Sequence, residues 1–477
     1  MNASATTASP ADSGADTIVV GLFDGEPVAH DLEGAPLTAL VDSGEARPKL
    51  RHLALAHAAG KRWIVAGLGA RAAFDHERAR LVAATVLGRA TELGAERLCW
   101  KLPHGVDDDV AGALVEGTLL AAYRFDRYRS QPAPEPHGPR SLIVSAHHDV
   151  AAPVARAAVL AEHANRARDL QNRAANDLTP TVLAAHARTL EGVDVTVEGR
   201  EEIVARGMGA FAAVAQGSPE EPALITLRYE APGATAPLIG LVGKAVTFDT
   251  GGISIKGRTK MSDMKYDMSG GSAVIEAIAA IARLGLPVRV VGVVGATENM
   301  PSGSAFKPGD VLTAMTGTTI EIVDTDAEGR LVLADCLAHA IALGAKRLVD
   351  VATLTGAVAA TFSKTYAGLM STDDAWAAAV EAAGTRTGEL LWRLPLHPDY
   401  DELAKGRYAD LANTTEPRRA GAIVAASFLK AFTGDVPWAH LDIAGTGWDL
   451  GRAYSPKGGS GFGVRLLVDL VEAAGRA

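Results

Sequence analysis

The chain has 477 residues, a formal net charge of -10 and 48% apolar residues, few of them aromatic. It is too long for one ordinary core, so two or more globular domains are expected. The acidic balance excludes a general binder of nucleic acid or anionic membranes, and no apolar run is long enough to span a bilayer.

Residues 1–16 are rich in Ala, Ser and Thr. They lack a basic region followed by an apolar one, so they read as a disordered tail and not as a signal peptide. Residues 17–23 and 63–66 read as strands and 78–93 as a helix. Loop residues around Pro103 and Gly105 lead to a second helix at 111–123. The polar, proline-rich segment 131–140 reads as a loop and 141–144 as a short strand. Residues 154–169 form an alanine-rich helix placed to bridge two domains. Asn176-Asp177-Leu178-Thr179-Pro180 then carries turn and helix-start signals. The expected organisation is a tail at 1–16, a smaller N-terminal α/β domain with its bridging helix at 17–165, and a larger α/β domain at 166–477.

The second domain has a clearer rhythm. Strands are expected at 224–229, 237–248, 288–295, 319–323 and 348–352, and helices at 272–284, 331–343 and 375–383. Such alternation implies a mostly parallel central sheet. Gly207 and Gly209 lack the third glycine of a dinucleotide loop, so a turn is expected there. The two cysteines, Cys99 and Cys336, are far apart in sequence, which predicts a reducing, cytoplasmic setting with no disulfide framework. Asn413-Thr414-Thr415 matches a glycosylation sequon that carries no meaning in such a compartment.

The chemistry concentrates in the larger domain. Asp324-Thr325-Asp326-Ala327-Glu328-Gly329-Arg330-Leu331 sets three acids at alternate positions where a strand gives way to a buried helix. Open α/β sheets place their active sites at such ends. Acids this close repel one another and protonate unless cations hold them, and a divalent metal is the obvious holder. Two other segments have the same character. In one, Lys244 and Lys256 flank Asp249, which ends an apolar strand before Gly251 and Gly252. The other is Met261-Ser262-Asp263-Met264-Lys265-Tyr266-Asp267, leading into a helix.

These three segments resemble the signatures of the leucyl aminopeptidases, the cytosol-type exopeptidases with two metal ions. Glu298-Asn299-Met300-Pro301-Ser302-Gly303, Ala352-Thr353-Leu354-Thr355-Gly356 and His440-Leu441-Asp442-Ile443-Ala444-Gly445-Thr446 resemble the same family. The resemblance is strong over about residues 165–477 and faint before that. It implies that Asp249 and Glu328 bridge two divalent ions, manganese or zinc. Asp326 completes one site, with its backbone carbonyl as a further ligand. Lys244 and Asp267 complete the other. It implies catalytic roles for Lys256 and Arg330, with a bicarbonate held on Arg330. Met264, Thr353, Gly356 and Ala444 correspond to an apolar pocket for the first side chain. The family forms homohexamers whose sites face an inner cavity and admit short peptides.

The physical chemistry agrees with that assignment. Four carboxylates (Asp249, Asp267, Asp326 and Glu328) balance two divalent cations. Lys244 ligates a metal only as the neutral amine, which burial beside two cations favours. A cation pair sharpens a shared water into a nucleophile, and one metal takes the free amino terminus of a peptide. Lys256, as ammonium, is the natural donor to the oxyanion that attack creates. Arg330 stays protonated and cannot be a base. An apolar pocket favours leucine, although one methylene is worth only about 1–3 kcal/mol.

The chain departs from the family pattern in a few places. Asp324 stands for the usual asparagine, Ala245 for glycine and Thr250 for serine, and Gly458-Gly459-Ser460-Gly461 is altered too. Two rival readings are a two-metal hydrolase of another ester class, such as a phosphoesterase, and a regulatory DNA-binding hexamer. His147-His148-Asp149 has no partner spacing and is not expected to hold a metal.

Overall fold

The computed structural model describes residues 1–131 and 138–476, so the middle of the loop expected at 131–140 lies outside the described residues. The chain divides into two compact units, Met1–Asn165 with Gly451–Pro456, and Arg166–Leu450 with Lys457–Ala477. The helix Ala151–Asn172 begins in the first and ends in the second. Among the described residues, no helix is long and apolar enough to cross a membrane.

The first unit is built on six strands: β1 (Asn2–Thr6), β2 (Thr17–Phe23), β3 (Leu53–Ala58), β4 (Lys61–Gly69), β5 (Arg97–Lys101) and β6 (Ser141–Ser145). Their order is β1-β6-β5-β2-β4-β3, and neighbours run parallel except in the β3–β4 hairpin. The inner strands are runs of β-branched and apolar residues, as strands covered on both faces require. One face packs through Trp100 and Ile64 on the helices His76–Glu92 and Asp109–Ala121, and the other through Trp63 and Val20 on Pro36–Asp42.

Two elements differ from expectation. Residues 2–6 of the supposed tail form β1, which pairs with β6. Ala3 and Ala5, at alternate positions, pack on the core, and the strand covers an edge that would otherwise leave backbone groups unpaired. Side chains this small give too weak an alternation to read. The β3–β4 hairpin turns on Ala59 and Gly60, with φ of 52° and 71°. That is the backbone of a tight hairpin turn without the Asn-Gly pair that usually announces it.

The second unit has β7 (Asp194–Glu198), β8 (Ala223–Glu230), β9 (Ile239–Asp249), β10 (Arg289–Asn299), β11 (Val311–Thr313) and β12 (Thr319–Glu321). There follow β13 (Arg347–Ala352), β14 (Ala367–Ser371), β15 (Leu391–Arg393), β16 (Leu411–Ala412) and β17 (Trp438–Asp442). Eight of these make one sheet, in the order β15-β14-β17-β13-β9-β10-β8-β7. Its centre, β17-β13-β9-β10, is parallel, and β14 and β8 flank it antiparallel. The α/β architecture with a mostly parallel core is therefore as expected.

Helices Ser269–Arg283 and Gly329–Ala342 cover opposite faces of this sheet. A Cβ on Gly243 would come 2.7 Å from the Cα of Gly271 in the first, and one on Gly240 would meet Ala340 of the second at 3.6 Å. Gly271 also makes room for Ala245, whose Cβ lies 2.6 Å from where a Cβ on Gly271 would be.

The strand expected at 319–323 exists as β12, but in a separate three-stranded sheet, β11-β12-β16. It closes a local hairpin with β11 and then pairs with β16. The octapeptide therefore does not leave the end of a main-sheet strand. The strand ends that reach the site belong to β9, β10 and β13.

Candidate active site

Lys244 and Asp249 both lie on β9, five residues apart. On a regular strand an odd spacing puts two side chains on opposite faces. Here the register slips: Val246 pairs with Thr297 and Phe248 with Glu298, leaving Thr247 as an extra residue. The bulge reverses the parity, so both side chains enter the same site.

Each lysine gathers acids from different segments. Lys244 Nζ lies 2.7 Å from Asp267 Oδ2 and 2.8 Å from Glu328 Oε1, and it donates to the Thr353 carbonyl at 3.2 Å. Lys256 Nζ lies 2.6 Å from Asp249 Oδ2 and also pairs with Asp326 Oδ1. Asp249, Asp326 and Glu328 offer oxygen atoms that all fall within 4.8 Å of one another. Asp249 and Glu328 are 2% exposed. Gly329, between Glu328 and Arg330, has a steric reason: a Cβ there would be 2.6 Å from both Cε and Nζ of Lys244.

The electrostatics follow from burial and crowding. Burial raises the pKa of Asp267, Asp326 and Glu328, and the neighbouring acids raise it further against the pull of Lys244 and Lys256. Burial presses both lysines down, but the surrounding carboxylates outweigh it and raise them above the ordinary lysine value. The acids alone thus keep the proton on Lys244, and only cations among them reverse that balance. Buried carboxylate oxygens converging with one lysine amine fit divalent metal ions.

Arg330 is buried and donates from Nη1 to the Asn413 carbonyl at 2.6 Å, while its Nε has no hydrogen-bond partner among the described residues. Burial lowers its pKa to about 10, so the guanidinium remains charged at neutral pH. An unsatisfied buried donor on a cation fits a small anion such as bicarbonate.

Of the four residues expected to receive a side chain, Thr353 touches one of these acids directly. Thr353 donates from its hydroxyl to Asp267 Oδ1 at 2.8 Å. Met264 is on the 3-10 turn Met261–Tyr266 just before Asp267, and the Tyr266 hydroxyl reaches the Ala444 carbonyl at 3.5 Å. Asp442 ties the two sides together: it accepts from the N–H groups of Leu354 and Ala444, each at 3.1 Å, and from the Thr355 hydroxyl at 2.7 Å. Gly356 is exposed at the start of the helix Gly356–Phe362, with open space where a side chain would be.

Three contributors were not foreseen. Asn299 donates to Asp249 Oδ1 at 2.9 Å and to the Thr325 carbonyl at 3.1 Å, fixing the acid against the octapeptide. Asn413, passed over as an empty sequon, accepts from Val323 N at 2.8 Å and donates to the Asp324 carbonyl at 2.6 Å, while its own carbonyl holds Arg330. Only the pairing of β16 with β12 brings it there, and nothing local announces that contact. Arg418 pairs with Asp324, which is not one of the converging trio. In the first unit, His148 lies 2.6 Å from Asp108, and His147 turns to Lys101 and His104.

The family model for the catalytic domain of the cytosol aminopeptidase family matches residues 165–468, and that for the family's N-terminal domain matches 19–132. The probable cytosol aminopeptidases of Roseiflexus castenholzii and Alkaliphilus oremlandii are 43% and 39% identical to the chain, over 98% and 96% of it and the same shares of their own lengths. The solved structure of the bottromycin maturation enzyme BotP in complex with Mn matches at a TM-score of 0.87 and 35% identity, covering 97% of this chain and 100% of that one. The chain belongs to the cytosol aminopeptidase family and is a metal-dependent aminopeptidase.

Proposed function

We propose that the protein removes N-terminal residues from short peptides, with a preference for leucine and other apolar side chains, using two divalent ions. The observation that carries this reading is the convergence of Asp249, Asp326 and Glu328 with Lys244 and Asp267, drawn from three separate segments. Asp249 and Glu328 would bridge the ions, Asp326 would complete one site, and Lys244 and Asp267 the other. Manganese or zinc suits such a set. When bound, the ions supply Lewis acidity and an activated water.

The chain's own groups do the rest. Lys256 holds its proton firmly beside Asp249 and Asp326, and it donates to the oxygen that gains charge when the first peptide carbonyl is attacked. Arg330 keeps its charge and would hold a bicarbonate, which supplies the proton acceptor a guanidinium cannot be. Met264, Thr353, Gly356 and Ala444 would receive the first side chain. We place the working enzyme in the cytoplasm as a homohexamer that excludes folded proteins. Its two buried, unpaired cysteines suit a reducing compartment.

The test is hydrolysis of leucine p-nitroanilide after chelation, followed by titration with manganese, zinc and magnesium. The expected result is loss of activity and its return with manganese or zinc, together with no turnover of a chromogenic phosphate ester. Activity that survives complete chelation would overturn the two-ion reading. Sedimentation of the purified protein tests the hexamer.

A further inference from the structure

The first unit carries a cluster of one lysine and two histidines that the hydrolytic site does not use. Lys101 ends β5 and is only 4% exposed. Its ammonium lies 2.9 Å from His147 Nε2, and that nitrogen lies 2.8 Å from His104 Nε2. Both histidines are exposed. The cluster therefore has a buried cation as its floor and two imidazoles at its mouth. Among the described residues, no carboxylate lies within ion-pair distance of Lys101. A lysine this buried ordinarily has an acid beside it. Arg71 donates to the His104 carbonyl at 2.6 Å and fixes that loop, its own charge met by Glu26.

The fold supports a ligand at this place. Val19 pairs with Trp100, so Val20 is level with Lys101, yet β2 runs on to Phe23. On the other side β6 ends at Ser145, level with Lys101. The carboxyl edge of the sheet thus has a step, with Lys101 and both histidines on its lower side. Strand β2 lies between β4 and β5, so the chain passes to one side of β2 and then to the other. That is a switch point, where open parallel sheets bind ligands. Burial and neighbouring positive charge lower the pKa of His104, and burial lowers that of Lys101.

We propose that Lys101, His104 and His147 form a binding site for a phosphate-type oxyanion. Such a ligand has enough acceptor oxygens to take a hydrogen bond from all three groups and supplies the charge Lys101 lacks. Free phosphate and the phosphoryl group of a nucleotide share this chemistry.

The test is isothermal titration of the full-length protein with inorganic phosphate and, separately, with ADP. Wild type should bind in a saturable way, and Lys101→Met should weaken the affinity about tenfold or more. Tighter binding of ADP would assign the group to a nucleotide, tighter binding of phosphate to the free anion, and either supports the site. Unchanged hydrolysis of leucine p-nitroanilide by Lys101→Met would show that the variant is folded. Should it fold poorly, His147→Gln, an exposed change, carries the same comparison. No saturable binding of either compound, or binding that the folded variants retain in full, would overturn the proposal.

Discussion

Replacing Gly329 with alanine sets two effects of opposite sign against each other. Gly329 is the first residue of its helix and has no positive φ, so alanine fits the backbone. Propensity alone then predicts a gain of about 0.5–1 kcal/mol. The new Cβ, however, would lie 2.6 Å from Cε and Nζ of Lys244 and 2.7 Å from its Cδ. Lys244 has to withdraw from Asp267 and Glu328, which it meets at 2.7 and 2.8 Å. Taking one partner out of a buried ion cluster costs about 3–5 kcal/mol. The larger effect wins, leaving a net loss of about 2–4 kcal/mol. Chemical denaturation without metal reads this loss. Manganese titration calorimetry should show weakened binding, and kcat/KM should fall with it. A variant that unfolds at higher denaturant than wild type and binds manganese as well would refute the claim that this glycine exists to admit Lys244.

With the one-residue bulge of β9 kept, an alanine inserted between Phe248 and Asp249 moves Asp249 one position along the strand and turns it to the face opposite Lys244. Manganese binding should be lost and activity should fall at least about 100-fold, whereas Thr247→Ser should leave both nearly intact. Asn413→Ala strips side-chain partners from Val323 and Asp324 while its backbone carbonyl still holds Arg330, so denaturation should show a loss of about 1–3 kcal/mol, with kcat falling more than KM rises. Arg418→Ala leaves Asp324 unpaired beside the site, and manganese affinity should become more salt-dependent than in the Asp324→Asn, Arg418→Ala double variant. Asp335 accepts from Phe211 N and Met315 N at 2.9 and 2.7 Å, and burial raises its pKa from 3.8 to about 7. A folded-state value above the unfolded one gives stability that is full below about pH 4 and gone above about pH 7. Melting temperature should therefore fall over that range, and less steeply in Asp335→Asn.

The larger unit was legible because its signals are long and strong. Helix 331–343 and strand 288–295 are apolar runs bounded by turns, and they appear as Gly329–Ala342 and β10. The acids of the site were legible because buried carboxylates at close spacing have few uses. What stayed hidden depends on pairing at long range or on small side chains. The alternation of Ala3 and Ala5 in β1 is too weak to detect. Asn413 acts from 89 residues away on Asp324. The position of β12 in a side sheet follows from its hairpin with β11, which a strand propensity cannot distinguish from a place in the main sheet. The odd spacing of Lys244 and Asp249 was visible all along, and it required a bulge. Reading it as an alternation problem would have placed a bulge between those two residues in advance.

The acid at 324 shows why a departure from a motif has to be weighed with its surroundings. Asparagine at that position offers one carbonyl oxygen and no charge. Asp324 Oδ1 accepts the Asp326 N–H at 2.9 Å, a bond that such a carbonyl makes equally well. The second oxygen and the added charge go to Arg418, whose guanidinium also lies 3.8 Å from Asp326. Burial pushes the Asp324 pKa up, but the bond to Arg418 and the Asp326 N–H outweigh it, so the group stays ionised and paired. The pair carries no net charge into the site, and the acids facing Lys244 and Lys256 remain Asp249, Asp267, Asp326 and Glu328. An extra acid that might have altered the choice of metal is instead cancelled by a cation from a loop 94 residues further along the chain.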